Sequence, residues 1–194
     1  RGETAVIGTM TQAIVRAHGI DPDRVSIAGL SAGGAMAALV ACAYPELFAA
    51  VGVHSGLPPG AARNLPEALA AMKGHATGQP PTAMPVPTIV FHGDSDATVH
   101  SRNGAAVIDA VLASDLSATT TTLDVDPGAS RDAQRCTRSL WRAANGDVIA
   151  EHWLVHGGGH AWFGGQREGS YTDPRGPDAS AEMLRFFFAR QRRA

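Results

Sequence analysis

Apolar and polar positions divide the chain into short segments of two different periods. Val6, Met10, Ala13, Ile14 and Ala17 recur at helical spacing, and Gly19 is placed to stop that helix in a left-handed turn. Asp21-Pro22-Asp23 reads as a turn, and Val25-Ser26-Ile27-Ala28 as a short buried strand. Residues 35–43 are strong helix formers that end at Tyr44-Pro45, because proline disfavours helix in the residue before it. Residues 49–53 form a second apolar strand, and Thr88-Ile89-Val90-Phe91 a third. Residues 103–112 return to the helical period, and 119–125 is a β-branched strand. Residues 148–155 read as a strand entered from an Asn145-Gly146-Asp147 turn, so a hairpin with 139–142 is expected. A helix over 178–190, carrying Met183, Leu184, Phe187 and Phe188, closes the chain. Strands alternating with helices predict a mostly parallel α/β sheet.

One stretch breaks this rhythm. Residues 56–87 hold seven of the twelve prolines (Pro58, Pro59, Pro66, Pro80, Pro81, Pro85 and Pro87) around one short helical segment near 67–72. That composition reads as a surface excursion or cap-like loop within one domain, not as a linker between two.

Composition narrows the classes. At 194 residues the chain is long enough for one domain with a substantial core. A formal net charge of -2 provides no electrostatic reason for a nucleic-acid or anionic-membrane partner. No apolar run approaches the ~20 residues that a membrane-spanning helix needs. No signal peptide is visible. The chain opens on Arg-Gly-Glu without an initiator Met and enters a helix almost at once, so it reads as a piece whose natural start lies upstream. Cys42 and Cys136 are too few and too far apart for a disulfide framework, and are expected as two buried thiols.

Candidate chemistry begins at Gly29-Leu30-Ser31-Ala32-Gly33, a match to G-x-S-x-G. Such a serine sits on a sharp strand-to-helix turn with its hydroxyl exposed, and side chains at 29 and 33 are expected to collide there. The backbone N–H of Ala32 would point at a developing oxyanion, helped by the N-terminus of the following helix. The motif alone is weak; a strand before it and a helix after it strengthen it. An orienting acid is expected after a later buried strand, where Phe91-His92-Gly93-Asp94-Ser95-Asp96 stands. Asp94 lies inside the tight turn and Asp96 further out, so Asp96 is preferred.

The base should follow the acid in the order Ser…Asp…His. Of eight histidines, His18 belongs to the opening helix, His75 to the excursion, and His152 and His156 to a strand or its end. His92 packs behind the acid turn, His100 stays a possible base, and His54 is expected to line the pocket. His160, in Gly157-Gly158-Gly159-His160-Ala161-Trp162, lies on a flexible loop between the last strand and the closing helix and is the candidate base. Trp162 is expected as packing and pocket wall together. Three glycines separate His156 from His160, so they are no helical metal pair, and no dinucleotide or phosphate loop occurs. Neither metal nor cofactor is expected. The polar loop 171–178 is expected to supply a salt bridge or a helix cap at Asp178 or Ser180.

Five segments together resemble the polyhydroxybutyrate depolymerase family of esterases, which is similar to feruloyl and acetylxylan esterases. They are Gly-Leu-Ser-Ala-Gly-Gly-Ala-Met (29–36), Tyr-Pro-Glu-Leu-Phe (44–48), Phe-His-Gly-Asp-Ser-Asp (91–96), Gly-Gly-Gly-His-Ala-Trp (157–162) and Tyr-Thr-Asp-Pro-Arg-Gly-Pro-Asp-Ala-Ser (171–180). The resemblance implies an α/β-hydrolase fold, a Ser31–His160–Asp96 triad, and one oxyanion donor from Ala32. It implies a cofactor-free esterase acting on polyhydroxybutyrate or short hydroxyalkanoate oligomers. Feruloyl or acetylxylan esters are the alternative substrates, and a non-catalytic binding protein on a hydrolase fold is the alternative of another class. Secretion fits the resemblance. Family members carry an N-terminal region with the first sheet strands and a His-Gly loop for the second oxyanion donor. This chain starts after that region, so residues 1–194 are expected to be the C-terminal part of a single catalytic domain, with the N-terminal segment as partner.

Overall fold

A computed structural model of the chain describes residues 2–75, 82–125 and 132–190. Its centre is a six-stranded sheet in the order β1-β2-β3-β6-β5-β4. The strands are β1 (Ser26–Leu30), β2 (Ala50–His54), β3 (Thr88–Gly93), β4 (Thr119–Val125), β5 (Cys136–Arg142) and β6 (Val148–Val155). β1, β2, β3 and β6 run parallel, while β5 and β4 add antiparallel strands beyond β6. Every residue of β2 and β3 is buried, which is why their sequences are continuous apolar runs rather than alternating ones. β4 at the edge is almost wholly exposed and threonine-rich. The expected β5–β6 hairpin forms, with Gly146 at φ 88° in its turn.

Parallel neighbours need crossovers, and helices supply them. Helices α1 (Glu3–His18), α2 (Ala32–Ala43) and α4 (Arg102–Leu112) belong to one layer, and α5 (Ala179–Phe188) covers the opposite face. α2 carries no charged residue and buries Ala37, Ala38, Val40 and Ala41 with Val51, Val53, Val90, Val107 and Val111. Met183 and Phe186 of α5 pack on Ile89, Phe91, Trp153 and Val155. α1 ends at Gly19 in the left-handed conformation, as its sequence predicts. Its apolar stripe, however, does not face the core. Val6, Met10 and Ile14 are exposed, and α1 packs through Ile7 and through Gly8, whose Cα lies against the Tyr44 ring.

The excursion contains α3 (Leu65–Met72), capped by the Asn64 side chain on the Glu67 N–H; residues 76–81, with Pro80 and Pro81, lie outside the described residues. A two-stranded parallel ribbon, β7 (Trp162–Phe163) with β8 (Thr172–Asp173), is too short to leave a periodic signal in the sequence. The polar loop behaves as expected: Asp173 pairs with Arg175, and Asp178 caps α5 on the Ala181 N–H. Cys42 and Cys136 are free thiols, Cys136 buried and Cys42 half-buried. Burial pushes the Cys136 thiol up to about 11. Among the described residues no helix is long and apolar enough to cross a membrane.

Candidate active site

The four parallel strands deliver their C-terminal ends to one edge of the sheet; His54 ends β2 there, and the loops leaving the other three strands carry Ser31, Asp96 and His160. That edge is where an open α/β sheet gathers its chemistry. Ser31 follows β1 and opens α2, at φ 57° and ψ -119°, a conformation that side chains seldom tolerate. Two backbone bonds hold it there. The Ser31 N–H donates to the His54 carbonyl at 2.8 Å, and the Ser31 carbonyl accepts from Ala35 N–H at 3.0 Å. The Ser31 side chain makes no bond to its own helix, so it is not used as a cap. Ala32 is the first residue of α2, and its N–H therefore has no partner within the helix.

Close packing around this turn assigns the glycines differently from the sequence reading. A Cβ on Gly29 would lie 2.3 Å from the backbone of Gly33, so Gly29 cannot carry a side chain. A Cβ on Gly33 would meet nothing within 4 Å. The second constrained position is Gly34, whose Cβ would lie 2.9 Å from the Gly29 carbonyl oxygen and 3.2 Å from that of His54. The expected collision at 33 is corrected: Gly33 supplies the backbone that is approached, not the missing side chain.

The two competing acids each take their own histidine. Asp96 Oδ2 lies 2.7 Å from His160 Nδ1, with the carboxyl fully buried and the imidazole 13% exposed. Asp96 Oδ1 accepts from the N–H groups of Thr98 and Val99 at 2.9 and 2.8 Å. Asp94 points the other way, to His156 Nδ1 at 2.9 Å and Gly157 N–H at 2.7 Å. Burial works to raise the Asp94 carboxyl, but hydrogen bonds from His156, Gly157 and Ser95 outweigh it and hold the pKa below its ordinary value. Backbone bonds tie the acid turn to the histidine loop: Asp94 N–H donates to Val155 and Ser95 N–H to Gly158. Gly93 and Gly158 touch so closely that a Cβ on Gly93 would lie 2.1 Å from the Gly158 oxygen.

His54 does not line an open pocket. It is 0% exposed, and its ring stacks on Trp162 and Phe91. Its Nε2 accepts from the Phe163 N–H at 3.1 Å, so the proton sits on Nδ1, facing Ser55 Oγ at 3.2 Å. Burial, then the neighbouring His92 and His160, push its pKa down to about 3, so it is neutral. Its backbone holds Ser31 and its ring holds the strand that follows His160. Only its type, a histidine at a strand end, hinted at this. Trp162 is half-buried, and its indole N–H donates to Ser180 Oγ at 3.0 Å, tying the loop to α5. The structure thus brings Asp96 and His160 into direct contact, and the backbone and ring of His54 join the Ser31 turn to the strand that follows His160. Among the described residues no hydrogen bond joins His160 to Ser31 itself. A recess of about 940 Å³, lined by Arg24, Phe48, Pro87, Val148 and Arg190, lies at the opposite ends of the strands, away from this site.

The sequence profile of the family described as esterase PHB depolymerase matches residues 1–134, more than half of the chain. The chain belongs to this family. A curated relative, poly(3-hydroxyalkanoate) depolymerase C of Paucimonas lemoignei, is 28% identical over 174 residues, covering 82% of this chain and 40% of the relative. Probable acetylxylan esterase A of Aspergillus fumigatus is 37% identical over 59 residues, covering 30% of this chain and 16% of the relative. The acetyl xylan esterase of Aspergillus awamori superposes with a TM-score of 0.60 at 20% identity, covering 81% of this chain and 61% of that one. A PHB depolymerase variant complexed with an R3HB trimer superposes with a TM-score of 0.58 at 18% identity, over 87% of this chain and 52% of that one. At such identities the structural matches establish the fold, an α/β sheet of the kind these hydrolases share. The chain spans between 40% and 61% of the lengths of the depolymerase relative and the two solved structures.

Proposed function

We propose that this chain carries the reacting side chains of a serine ester hydrolase, with Ser31 as nucleophile, His160 as general base and Asp96 as its orienting acid. The observation that carries the reading is the 2.7 Å contact between His160 Nδ1 and a buried Asp96, at the sheet edge that also presents a strained, uncapped Ser31. Asp96 holds the imidazole with its proton on Nδ1, leaving Nε2 as the lone-pair face that takes the serine proton. Ser31 Oγ attacks the ester carbonyl, His160 takes its proton and returns it to the leaving alcohol, and water activated by His160 releases the acid. The Ala32 N–H, at the positive end of α2, stabilises the oxyanion. No step calls on a cofactor. Trp162 contributes to the wall of the acyl site, and residues 1–194 form the C-terminal part of one hydrolase domain completed by an N-terminal segment.

The substrate class proposed first is polyhydroxyalkanoate or its short oligomers, because a curated relative matched over 82% of this chain is a poly(3-hydroxyalkanoate) depolymerase. Acetylated xylan is the second reading, favoured by the Aspergillus matches. Labelling the full-length protein with a fluorophosphonate tests the chemistry: covalent modification of Ser31 is expected, and an unlabelled protein would favour a non-catalytic binding role. Hydrolysis rates on polyhydroxybutyrate, methyl ferulate and acetylated xylan then rank the substrates.

A further inference from the structure

The loop that carries His160 has few contacts of its own. Gly157, Gly158 and Gly159 stand between the end of β6 and His160, and a Cβ on Gly157 or Gly159 would meet nothing within 4 Å. Glycine has the most backbone freedom to lose on ordering, so such a run is set by what holds it from outside. The acid turn holds it at three points. At the far end Asp96 Oδ2 lies 2.7 Å from His160 Nδ1. In the middle the Ser95 N–H donates to the Gly158 carbonyl at 3.0 Å. At the near end one carboxylate takes two consecutive residues: the Gly157 N–H donates to Asp94 Oδ1 at 2.7 Å, and His156 Nδ1 lies 2.9 Å from Asp94 Oδ2. A carboxylate only accepts, so His156 carries a proton on Nδ1. The other edge of the ring is held too, with Nε2 2.8 Å from Thr137 Oγ1 on β5, which also lies 3.3 Å from Asp124 Oδ1 on β4. His156 thus ties the start of the loop to the acid turn and to both antiparallel strands.

We propose that Asp94 and His156 are positioning residues for the candidate base: they clamp the root of the glycine loop to the same turn that carries Asp96, so that His160 keeps its bond to Asp96 through the reaction. This rests on Ser31, His160 and Asp96 acting as nucleophile, base and acid. Asp94 and Asp96 stand two residues apart on the turn, and their partners His156 and His160 four apart on the loop, so the two carboxylates grip the glycine run from either end. Gly157, at φ 73°, is the hinge at the near end. Without Asp94 its N–H loses its partner on the turn, and the hinge is free to swing the base away from Asp96. An exposed ion pair holds little by itself, and the His156 and Asp94 side chains are 42% and 36% exposed. The bond from the Gly157 N–H to a charged carboxylate is the stronger half of the clamp, and the imidazole fixes that carboxylate in the orientation that accepts it. His156 therefore acts through Asp94. A base displaced by about 1 Å can cost up to about a hundredfold in rate, so a clamp of modest strength has a measurable effect on kcat.

Amide hydrogen exchange in the full-length protein reads the clamp independently of catalysis. The Gly157 amide is expected to be protected in the wild type, to exchange about tenfold faster in His156→Leu, and to lose its protection in Asp94→Ala. An unprotected Gly157 in the wild type, or exchange unchanged in Asp94→Ala, overturns the clamp. Kinetics on a p-nitrophenyl ester test the positioning role. Asp94→Ala should lower kcat about tenfold at constant KM, and His156→Leu should lower it by less. His156→Asn, whose amide N–H takes the place of the imidazole Nδ1–H, should recover most of the His156→Leu loss. Asp94→Ala/His156→Leu should be no slower than Asp94→Ala alone. Losses in KM rather than kcat, equal losses in His156→Leu and His156→Asn, or additive losses in the double variant would overturn the role. A wild-type protein inert to fluorophosphonate would instead defeat the assignment of Ser31, His160 and Asp96 and remove the positioning role with it, while the exchange result would still decide the clamp.

Discussion

At Ser31 the backbone is held in a conformation that costs of order 1–3 kcal/mol, and the surrounding bonds to His54 and Ala35 hold it there. Strain kept at the proposed nucleophile implies a trade between stability and activity. Ser31→Gly is therefore expected to raise the melting temperature by a few degrees, roughly 1 kcal/mol, while abolishing p-nitrophenyl ester hydrolysis. Ser31→Ala should abolish hydrolysis without that gain. Calorimetry and rate assays on the two variants check both statements, and wild-type rates in either would reject Ser31 as nucleophile. The acids separate by the same reasoning. Asp96→Asn should cost roughly 10³–10⁴ in kcat, because an amide in place of the carboxylate favours the wrong tautomer of His160. Asp94→Asn, which touches His156 rather than His160, should cost far less. Comparable losses at 94 and 96 would mean that the base had been assigned to the wrong acid.

At the scale of elements, one close approach and one buried charge cluster hold the frame of the site. The turn between β1 and α2 closes only because Gly29 lies on the backbone of Gly33. Gly29→Ala should destabilise the protein by about 1–3 kcal/mol or more, whereas Gly33→Ala should fold normally, a contrast readable by chemical denaturation. On the opposite face Glu151 of β6 is 1% exposed, and one of its carboxylate oxygens accepts from Arg138, Arg185 and Trp153. This joins β5, β6 and α5. Glu151→Ala strands a buried indole N–H and the Arg138 guanidinium, while Arg185 keeps Glu182, and the expected loss is about 3 kcal/mol, the lower end for a broken buried pair because Arg185 is 42% exposed. An unchanged denaturation midpoint would show that the cluster is dispensable. Element positions were largely legible in the sequence. Strong periodicity and clear stop signals at Gly19, Pro45 and Gly146 placed every major helix and strand within a few residues. The β7–β8 ribbon was not legible, because two residues cannot carry a period.

Across the whole molecule, buried neutral histidines make folding sensitive to acid. His54 is lowered to about 3 and His152 to about 4, from an ordinary 6.5. Between those values the unfolded chain binds protons that the folded chain refuses, so stability rises with pH. Their contribution is complete above about pH 6.5 and is lost as pH falls toward 4 and then 3. The melting temperature should therefore drop steadily below about pH 6.5. A His152→Gln variant should show a shallower drop, and an identical slope would mean that His152 is charged in the folded protein. The sheet also explains why the site and the Arg24–Arg190 recess lie apart: parallel strands present two unlike edges, and only the C-terminal edge receives the loops that carry Ser31, Asp96 and His160.

The sequence by itself determined the parallel α/β class, the strand-to-helix setting of Ser31, and the chain order of the proposed nucleophile, acid and base. All of these rest on local period and on motifs that are contiguous along the chain. Only the tertiary structure decided which acid meets which histidine, because Asp94 and Asp96 are two residues apart while their partners come from a loop more than sixty residues on. It also decided that His54 is a buried tie rather than a pocket wall, that Gly34 and not Gly33 is the second constrained glycine, and that the apolar stripe of α1 faces solvent. Each of these is a matter of what packs against a side chain, and that neighbour is set by the sheet order, which the period of a single segment does not encode.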